Sequence, residues 1–450
     1  MTGAAEAIPP AGPAKLRPTR TLLAVLGVAF GLSVIVGNTL GSGILRTPGQ
    51  VAQLLPSVPL FLGVWILGAA YAMLGANALT ELATMMPESG GYTVYLRRSL
   101  GLYAGFVIGW SDWLSTCSSA ALAALVIGEY TTMLLGLSTG VGSLIASAVI
   151  LGFALLQWRG IKEGSIAQNL TAIAKTIAFA ILIGACFLLG RGFQSSAGAV
   201  PTAFPLLVAL VVAMQSVIFT YDGYNGIVYF SGELKNPARD IPRSIFGGVL
   251  VVAAIYLLIN VGFLYVLPLS RMAGDPLVAA TAANEIFGPK GDTVIRVLTI
   301  VSLLSALNAY QLMTPRVMYR LSVFGFFQAG QYVNRGGTPA IALLLSTVVV
   351  LALVLTGTVQ IVIAVTAFFF VAQYALVFLS LFILRRREPD APRPYRAKGH
   401  PWTTGLVLVF SVAFLIAAVT TDTRNSVYSL LLLALSWPVY RLMRPQATAS

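Results

Sequence analysis

Along almost the whole chain, apolar runs of about twenty residues alternate with short polar segments. Wound as an α-helix, a run of about that length crosses ~30 Å of hydrocarbon. The pattern predicts twelve such runs, at 22–48, 57–82, 103–134, 139–157, 166–190, 203–231, 244–268, 292–318, 338–357, 359–384, 403–420 and 426–443. The expected class is an all-α membrane protein with twelve transmembrane helices.

Two of the runs are faulted. The first carries Asn38, Thr39, Gly41, Ser42 and Gly43 near its middle, and the sixth carries Phe219-Thr220-Tyr221-Asp222-Gly223-Tyr224-Asn225-Gly226. Glycine costs a helix about 1 kcal/mol relative to alanine. Irregular backbone at membrane depth is tolerated only where it lines a cavity or is buried in protein. Because the first and sixth runs hold matching places in successive blocks of five, the faults predict broken helices 1 and 6 of an inverted repeat. The blocks are 21–200 and 201–384, followed by a basic loop at 385–402, a peripheral helix pair at 403–443 and a short tail at 444–450. Gly27, Gly31 and Gly37 read instead as small residues for helix packing.

Composition agrees with the pattern. With 57% hydrophobic and 10% charged residues, the chain has too little polar surface to cover a water-soluble globule. A net charge of +13 suggests a nucleic-acid partner until the basic residues are placed. Lys15, Arg17, Arg20, Arg97, Arg98, Arg159, Lys162, Lys235, Arg239, Arg243, Arg316, Arg320, Arg335, the cluster from Arg385 to Lys398, Arg441 and Arg444 fall on alternate connections. The opposite set holds only Arg46, Arg191, Arg271, Lys290 and Arg424. That bias puts both termini in the cytoplasm and indicates no nucleic-acid partner. Residues 1–20, with Pro9, Pro10, Pro13 and Pro18, read as a disordered cytoplasmic tail and not a signal peptide. The short chain is compatible with a bacterial inner membrane.

Catalytic and metal chemistry find little purchase. Cys117 and Cys186 sit inside apolar runs, where a thiol is a small packing residue, and His400 stands alone in a basic loop. No constellation with catalytic or metal-ligand spacing is evident, so neither an enzyme nor a cofactor is expected.

The breaks suggest binding. An unwound stretch leaves N–H donors at the start of one half-helix and C=O acceptors at the end of the other. A zwitterion such as an α-amino acid fits that pair. Its carboxylate would meet amides near Ser42, Gly43 and Ile44. Its ammonium would meet carbonyls near Thr39, Phe219, Thr220 and Asp222, with Gly41 and Gly223 opening the backbone.

Three stretches carry a family resemblance: Gly41-Ser42-Gly43-Ile44, the loop Pro87-Glu88-Ser89-Gly90-Gly91-Tyr92-Thr93-Val94-Tyr95, and the stretch from Gly232-Glu233-Leu234-Lys235-Asn236-Pro237 to Arg243. They resemble signatures of the amino acid–polyamine–organocation permeases, over about residues 22–402. The resemblance implies the leucine-transporter fold of 5+5 inverted repeats, alternating access, and amino acid or polyamine substrates. The string at 219–225 is most similar to L-type amino acid transporters and their bacterial relatives. On that match Phe219 takes the place of the aromatic gate that covers bound substrate. The stretch from Leu135 to Gly142 has no cysteine, so a covalent heavy-chain partner is not expected.

The intramembrane charges refine this reading. Lys175 lies among Ala172, Ala174, Ile177 and Phe179, where an ammonium needs a partner. The resemblance places it where sodium-coupled relatives bind their ion, against the first broken helix, as a coupling residue; the alternative is a lysine snorkelling to an interface. Asp222 reads equally as a carboxylate for protons or a cationic substrate and as an N-cap for the second half of span six. Asp112 and Glu81 read as interface or ion-pair residues, Arg296 as a snorkelling one, and Asn308, Gln311 and Tyr310 as helix-bonding residues before pocket residues. The expected function is a secondary, sodium-independent transporter of neutral amino acids by exchange or proton coupling. The rival is a polyamine or cationic amino acid/proton antiporter that uses Asp222 as counter-charge.

Overall fold

The computed structural model describes residues 21–138, 140–193, 205–421 and 423–443. The tails at 1–20 and 444–450 lie outside them. In chain order the first half contains α1 (Val28–Thr39), α2 (Gly43–Leu54), α3 (Val58–Met85), α4 (Tyr92–Leu100), α5 (Leu102–Leu135), α6 (Val141–Arg159) and α7 (Ile161–Leu189). The second half contains α8 (Leu206–Thr220), a 3-10 helix at Gly226–Glu233, α9 (Pro237–Val266), α10 (Leu269–Met272), α11 (Val278–Phe287), α12 (Gly291–Val323), α13 (Ala340–Thr356) and α14 (Val359–Arg387). Helices α15 (Trp402–Thr421) and α16 (Thr423–Met443) follow.

Among the described residues, eight helices are long and apolar enough to cross a membrane, or nine if α1 and α2, bent by 48°, form one span. Three shorter apolar helices accompany them: α8, α13 and the Trp402–Ala417 part of α15. The apolar runs therefore predict where helices lie, because the length of a run and the length of a membrane helix answer to the same hydrocarbon thickness.

The departures have local causes. Residues 22–27, which the apolar pattern assigns to the first span, precede the helix. Leu26 donates its N–H to the Glu233 carbonyl (3.0 Å) and accepts from Lys235 N–H (2.9 Å), forming a parallel bridge. Pairing with a neighbouring segment holds this stretch extended until Val28. After the second break the chain winds as a tight 3-10 helix of eight residues, not an α-helix. The signature loop at 87–95 gives rise to α4. Gly90 (φ +123°) allows the turn, and a Cβ there would come within 2.4 Å of the Arg320 Cβ.

Helices α5 and α12 form the most extensive pair, α1 packs on α7, α9 and α12, and α2 on α8. The basic loop at 385–402 is not a free loop. Glu81 at the end of α3 is fully buried and accepts from Arg385 (2.9 and 2.5 Å) and from Ala397 N–H (2.6 Å), and pairs with Arg393 (3.0 Å). One turn earlier, Asn77 accepts from Tyr395 Oη (2.7 Å) and Lys398 N–H (3.0 Å). A second buried pair joins Glu233 and Arg316 through two bonds of 2.8 and 2.9 Å. Both lie at the end of the molecule where basic residues concentrate. At the other end of α12, Arg296 bonds to Asp292 at 2.6 Å and contacts Met133, so it is a paired residue and not simply a snorkelling one.

Candidate functional site

The two breaks touch. Asn38 Nδ2 donates to the Gly223 carbonyl (3.3 Å), and Thr47 Oγ1 lies 3.0 Å from Thr220 Oγ1, which itself donates to the Ser216 carbonyl. Gly223 (φ +116°) lies so close to the first break that a Cβ would stand 2.7 Å from Thr39 Oγ1 and 2.9 Å from Thr39 N. A Cβ on Gly43 would meet Thr220 Cγ2 at 3.4 Å. Of the predicted residues, Thr39, Gly43, Thr220 and Gly223 thus form one cluster. Gly41 stands at the bend with no atom nearer to an added Cβ than the Thr39 carbonyl at 4.0 Å. Ser42 precedes α2 in helical geometry without a side-chain cap bond, and Ile44 is buried in its first turn. The Leu45 amide bonds to the Ser42 carbonyl (3.2 Å), whereas the amides of Gly43 and Ile44 before it have no intrahelical acceptor.

The carbonyl ends are more occupied than the sequence suggests. Lys175 is completely buried, and its Nζ donates to the carbonyls of Gly37 (2.7 Å) and Leu40 (2.5 Å) at the end of α1. Ser302 of α12 also donates to the Leu40 carbonyl (2.9 Å). Lys175 is thus directed to the first break and does not snorkel. An ammonium at a helix C-terminus meets the negative end of the dipole, which offsets part of the cost of its burial.

Tyr256 of α9 is the site residue that sequence reasoning missed. Its hydroxyl lies 2.7 Å from the Thr39 carbonyl and 3.0 Å from the Thr220 carbonyl, bridging the ends of α1 and α8. The phenol has one proton for two acceptors, so at most one carbonyl is fully served at a time. The signal was a lone hydroxyl in the middle of the seventh apolar run, between Ala253-Ala254-Ile255 and Leu257-Leu258. Two further acceptors near the breaks, Thr39 Oγ1 and Asn225 Oδ1, are buried without a hydrogen-bond partner among the described residues. A buried acceptor in that condition is a place for an added donor.

Asp222 does not cap the segment after the break. Asn225 holds the position before the 3-10 helix, and no side-chain cap bond is made there. The Asp222 carboxylate instead accepts a hydrogen bond from the Tyr374 hydroxyl of α14. It lines an open cavity of about 90 Å³ together with Tyr71, Phe219, Phe370, Tyr374 and Phe414. Phe219 is 70% exposed and packs edge-on to Phe370 at 5.9 Å. Of the predicted site residues, Phe219 and Asp222 line this cavity, whereas those of the first break lie outside its described lining.

The helix-bonding reading holds for Asn308 and Gln311. Asn308 donates to Gln168 Oε1 (2.9 Å) and accepts from Gln157 (3.0 Å), and Gln311 donates to the Ile150 carbonyl (3.1 Å). Asp112 departs from expectation. It is 5% exposed on α5 and forms no ion pair among the described residues; both its oxygens lie 3.0 Å from the Tyr229 hydroxyl.

Comparison with known proteins places this geometry in a family. The model of a family described as "Amino acid permease" matches residues 21–439. The chain is 29% identical over 427 residues to the serine/threonine exchanger SteT of Bacillus subtilis, covering 93% of this chain and 96% of that protein. It is 27% identical to the mouse b(0,+)-type amino acid transporter 1, over 89% of this chain and 83% of that protein. It is also 29% identical to mouse solute carrier family 7 member 13, over 82% and 80% respectively. With its two touching helix breaks and its match over nearly the whole length, the chain belongs to the amino acid permease family.

Proposed function

We propose that this permease moves neutral amino acids by alternating access, independently of sodium, with the amino-acid head held between the two breaks. The observation that carries the reading is the cluster of Thr39, Gly43, Thr220 and Gly223. It sets the amide end of α2 beside the carbonyl ends of α1 and α8. The free amides near Ser42, Gly43 and Ile44 suit a carboxylate. The unpaired acceptors Thr39 Oγ1 and Asn225 Oδ1, with whichever carbonyl Tyr256 leaves unserved, suit an ammonium. Phe219, flanking the cavity at the second break, is the gate of this scheme. Lys175 supports sodium independence, because its ammonium already neutralises the carbonyl end of α1. The name of the Bacillus relative, a serine/threonine exchanger, favours small neutral substrates, with exchange and proton coupling both compatible with the site.

The fold that goes with this function is a leucine-transporter fold of twelve spans: the nine candidate spans joined by α8, α13 and α15. Residues 21–200 and 201–384 are its inverted repeats, 385–402 the link, and 403–443 the peripheral pair in a cell membrane with both termini cytoplasmic. No covalently attached subunit enters the scheme.

A second reading rests on Asp222, which among the described residues has no Lys, Arg or His within ion-pair distance and faces the cavity. Such a carboxylate suits a cationic amino acid or a polyamine. Counterflow in proteoliposomes with labelled serine, threonine, leucine, arginine and putrescine separates the two. Neutral counterflow that survives Asp222→Asn, with no arginine or putrescine movement in either form, is the expected result. Arginine or putrescine counterflow abolished by Asp222→Asn establishes the second reading, and no counterflow of any of them refutes both.

A further inference from the structure

Four acids inside the bundle fall into two pairs. Glu81 and Glu233 are each held by arginine, Glu81 by Arg385 and Arg393 and Glu233 by Arg316. Asp112 and Asp222 accept instead from tyrosine, Asp112 from Tyr229 and Asp222 from Tyr374, and among the described residues neither has a Lys, Arg or His nitrogen within ion-pair distance. The rings of Tyr229 and Tyr374 both pack against Tyr92 of α4, with centroids 6.4 and 5.8 Å away. Tyr92 is completely buried, and its hydroxyl faces Tyr374 and Asn225 without a hydrogen-bond partner. Buried Asp112, Tyr229 and Tyr92 and half-buried Tyr374 and Asp222 thus form one row leading from α5 to the cavity beside the second break, joined at Tyr92 by ring contacts.

The surroundings of Asp112 decide what it does. The 3-10 helix presents Tyr229 to it, α4 presents Tyr92 behind Tyr229, and Asp222 adds a second acid from the break. On its own helix Cys117 lies just beyond one turn. Helices α6, α12, α13, α14 and α16 also pack on α5. Among the described residues none of them brings a Lys, Arg or His nitrogen within 4.0 Å of its carboxylate. One phenol proton is a poor complement for two charged oxygens, which accept up to about four hydrogen bonds. A buried charge without a counter-charge is costly, and a carboxylate removes that cost by taking up a proton.

Tyr229 also belongs to the element that follows the second break, and its carbonyl accepts from Gly90 N–H at 3.2 Å. The Asp112–Tyr229 bond therefore ties α5 to a segment continuous with the substrate site. We propose that Asp112, clasped by Tyr229, binds the proton that drives net amino acid uptake, and that Asp222, Tyr374 and Tyr92 connect it to the cavity. The proton leaves a hydronium ion on one side of the membrane and forms an O–H bond on Asp112. It returns to water on the other side when Tyr229 and its segment move away.

This inference rests on the proposed transport function, and the test keeps the two apart. Purified full-length protein is reconstituted in sodium-free proteoliposomes. Two rates are measured for the same labelled amino acid: exchange at equal pH on both sides, and net uptake into empty vesicles driven by an inward proton gradient. Wild type is expected to do both. Asp112→Asn is expected to keep exchange within about twofold and to lose gradient-driven uptake by at least tenfold. Gradient-driven uptake that persists in Asp112→Asn overturns the proposal, as does a wild type that exchanges without responding to the gradient. Absence of exchange in wild type overturns the transport reading itself. If Asp112→Asn fails to fold, Tyr229→Phe decides, because it keeps the acid and removes only its donor. A displaced pH profile of net uptake is then expected, and an unchanged profile overturns the proposal.

Discussion

At the level of single residues, the candidate site is governed by donors that already occupy the carbonyl ends of the broken helices. Lys175 supplies two bonds to α1, and bonds from a charged group contribute about 1.5–3 kcal/mol each. Replacing it with methionine also removes the cost of burying an ammonium, so Lys175→Met is expected to fold while losing counterflow by more than tenfold. Size-exclusion profiles and counterflow measured on one preparation check both halves, and wild-type counterflow in the variant removes Lys175 from the mechanism. Lys175 was legible because a charge in an apolar run always asks for a partner. Tyr256 was not, because a tyrosine in such a run is usually an aromatic packing residue, and only the positions of Thr39 and Thr220 give its hydroxyl a role.

Among the elements, the helices are held in place by buried polar ties at the basic end of the molecule. The Glu233–Arg316 pair links the 3-10 helix to α12, with side chains 0% and 1% exposed. Glu233→Gln leaves a buried guanidinium without its counter-charge, which costs about 3–5 kcal/mol. Thermal unfolding in detergent should fall clearly for that variant and recover in part when Arg316→Met accompanies it. Equal destabilisation by the single and double variants would show that the pair is not coupled. The long helices were legible from apolar length alone, with ends displaced by up to seven residues, as at Pro237 where the run was read from 244. Short helices α4 and α11 were not, because Tyr92–Leu100 and Val278–Phe287, at nine and ten residues, are too short to register as a run of membrane length. The strap at 385–402 escaped notice for a different reason. Its arginines fit a solvated basic loop equally well until Glu81 and Asn77 are seen beneath them.

For the molecule as a whole, the proposed sidedness gives a direct check. Lys398 and Arg271 are exposed at connections assigned to opposite faces, and the two native cysteines are buried. In intact cells a membrane-impermeant maleimide should label Arg271→Cys but not Lys398→Cys, and permeabilisation should expose the latter. The reverse pattern inverts the topology. Movement between two such faces needs slack somewhere in the chain, and the 3-10 helix at Gly226–Glu233 holds it. A 3-10 helix rises about 2.0 Å per residue and an α-helix about 1.5 Å. Rewinding its eight residues would draw the ends together by about 4 Å. The stretch after the second break is thus a wound spring, with a stroke of about three-quarters of an α-helical turn already folded into the backbone.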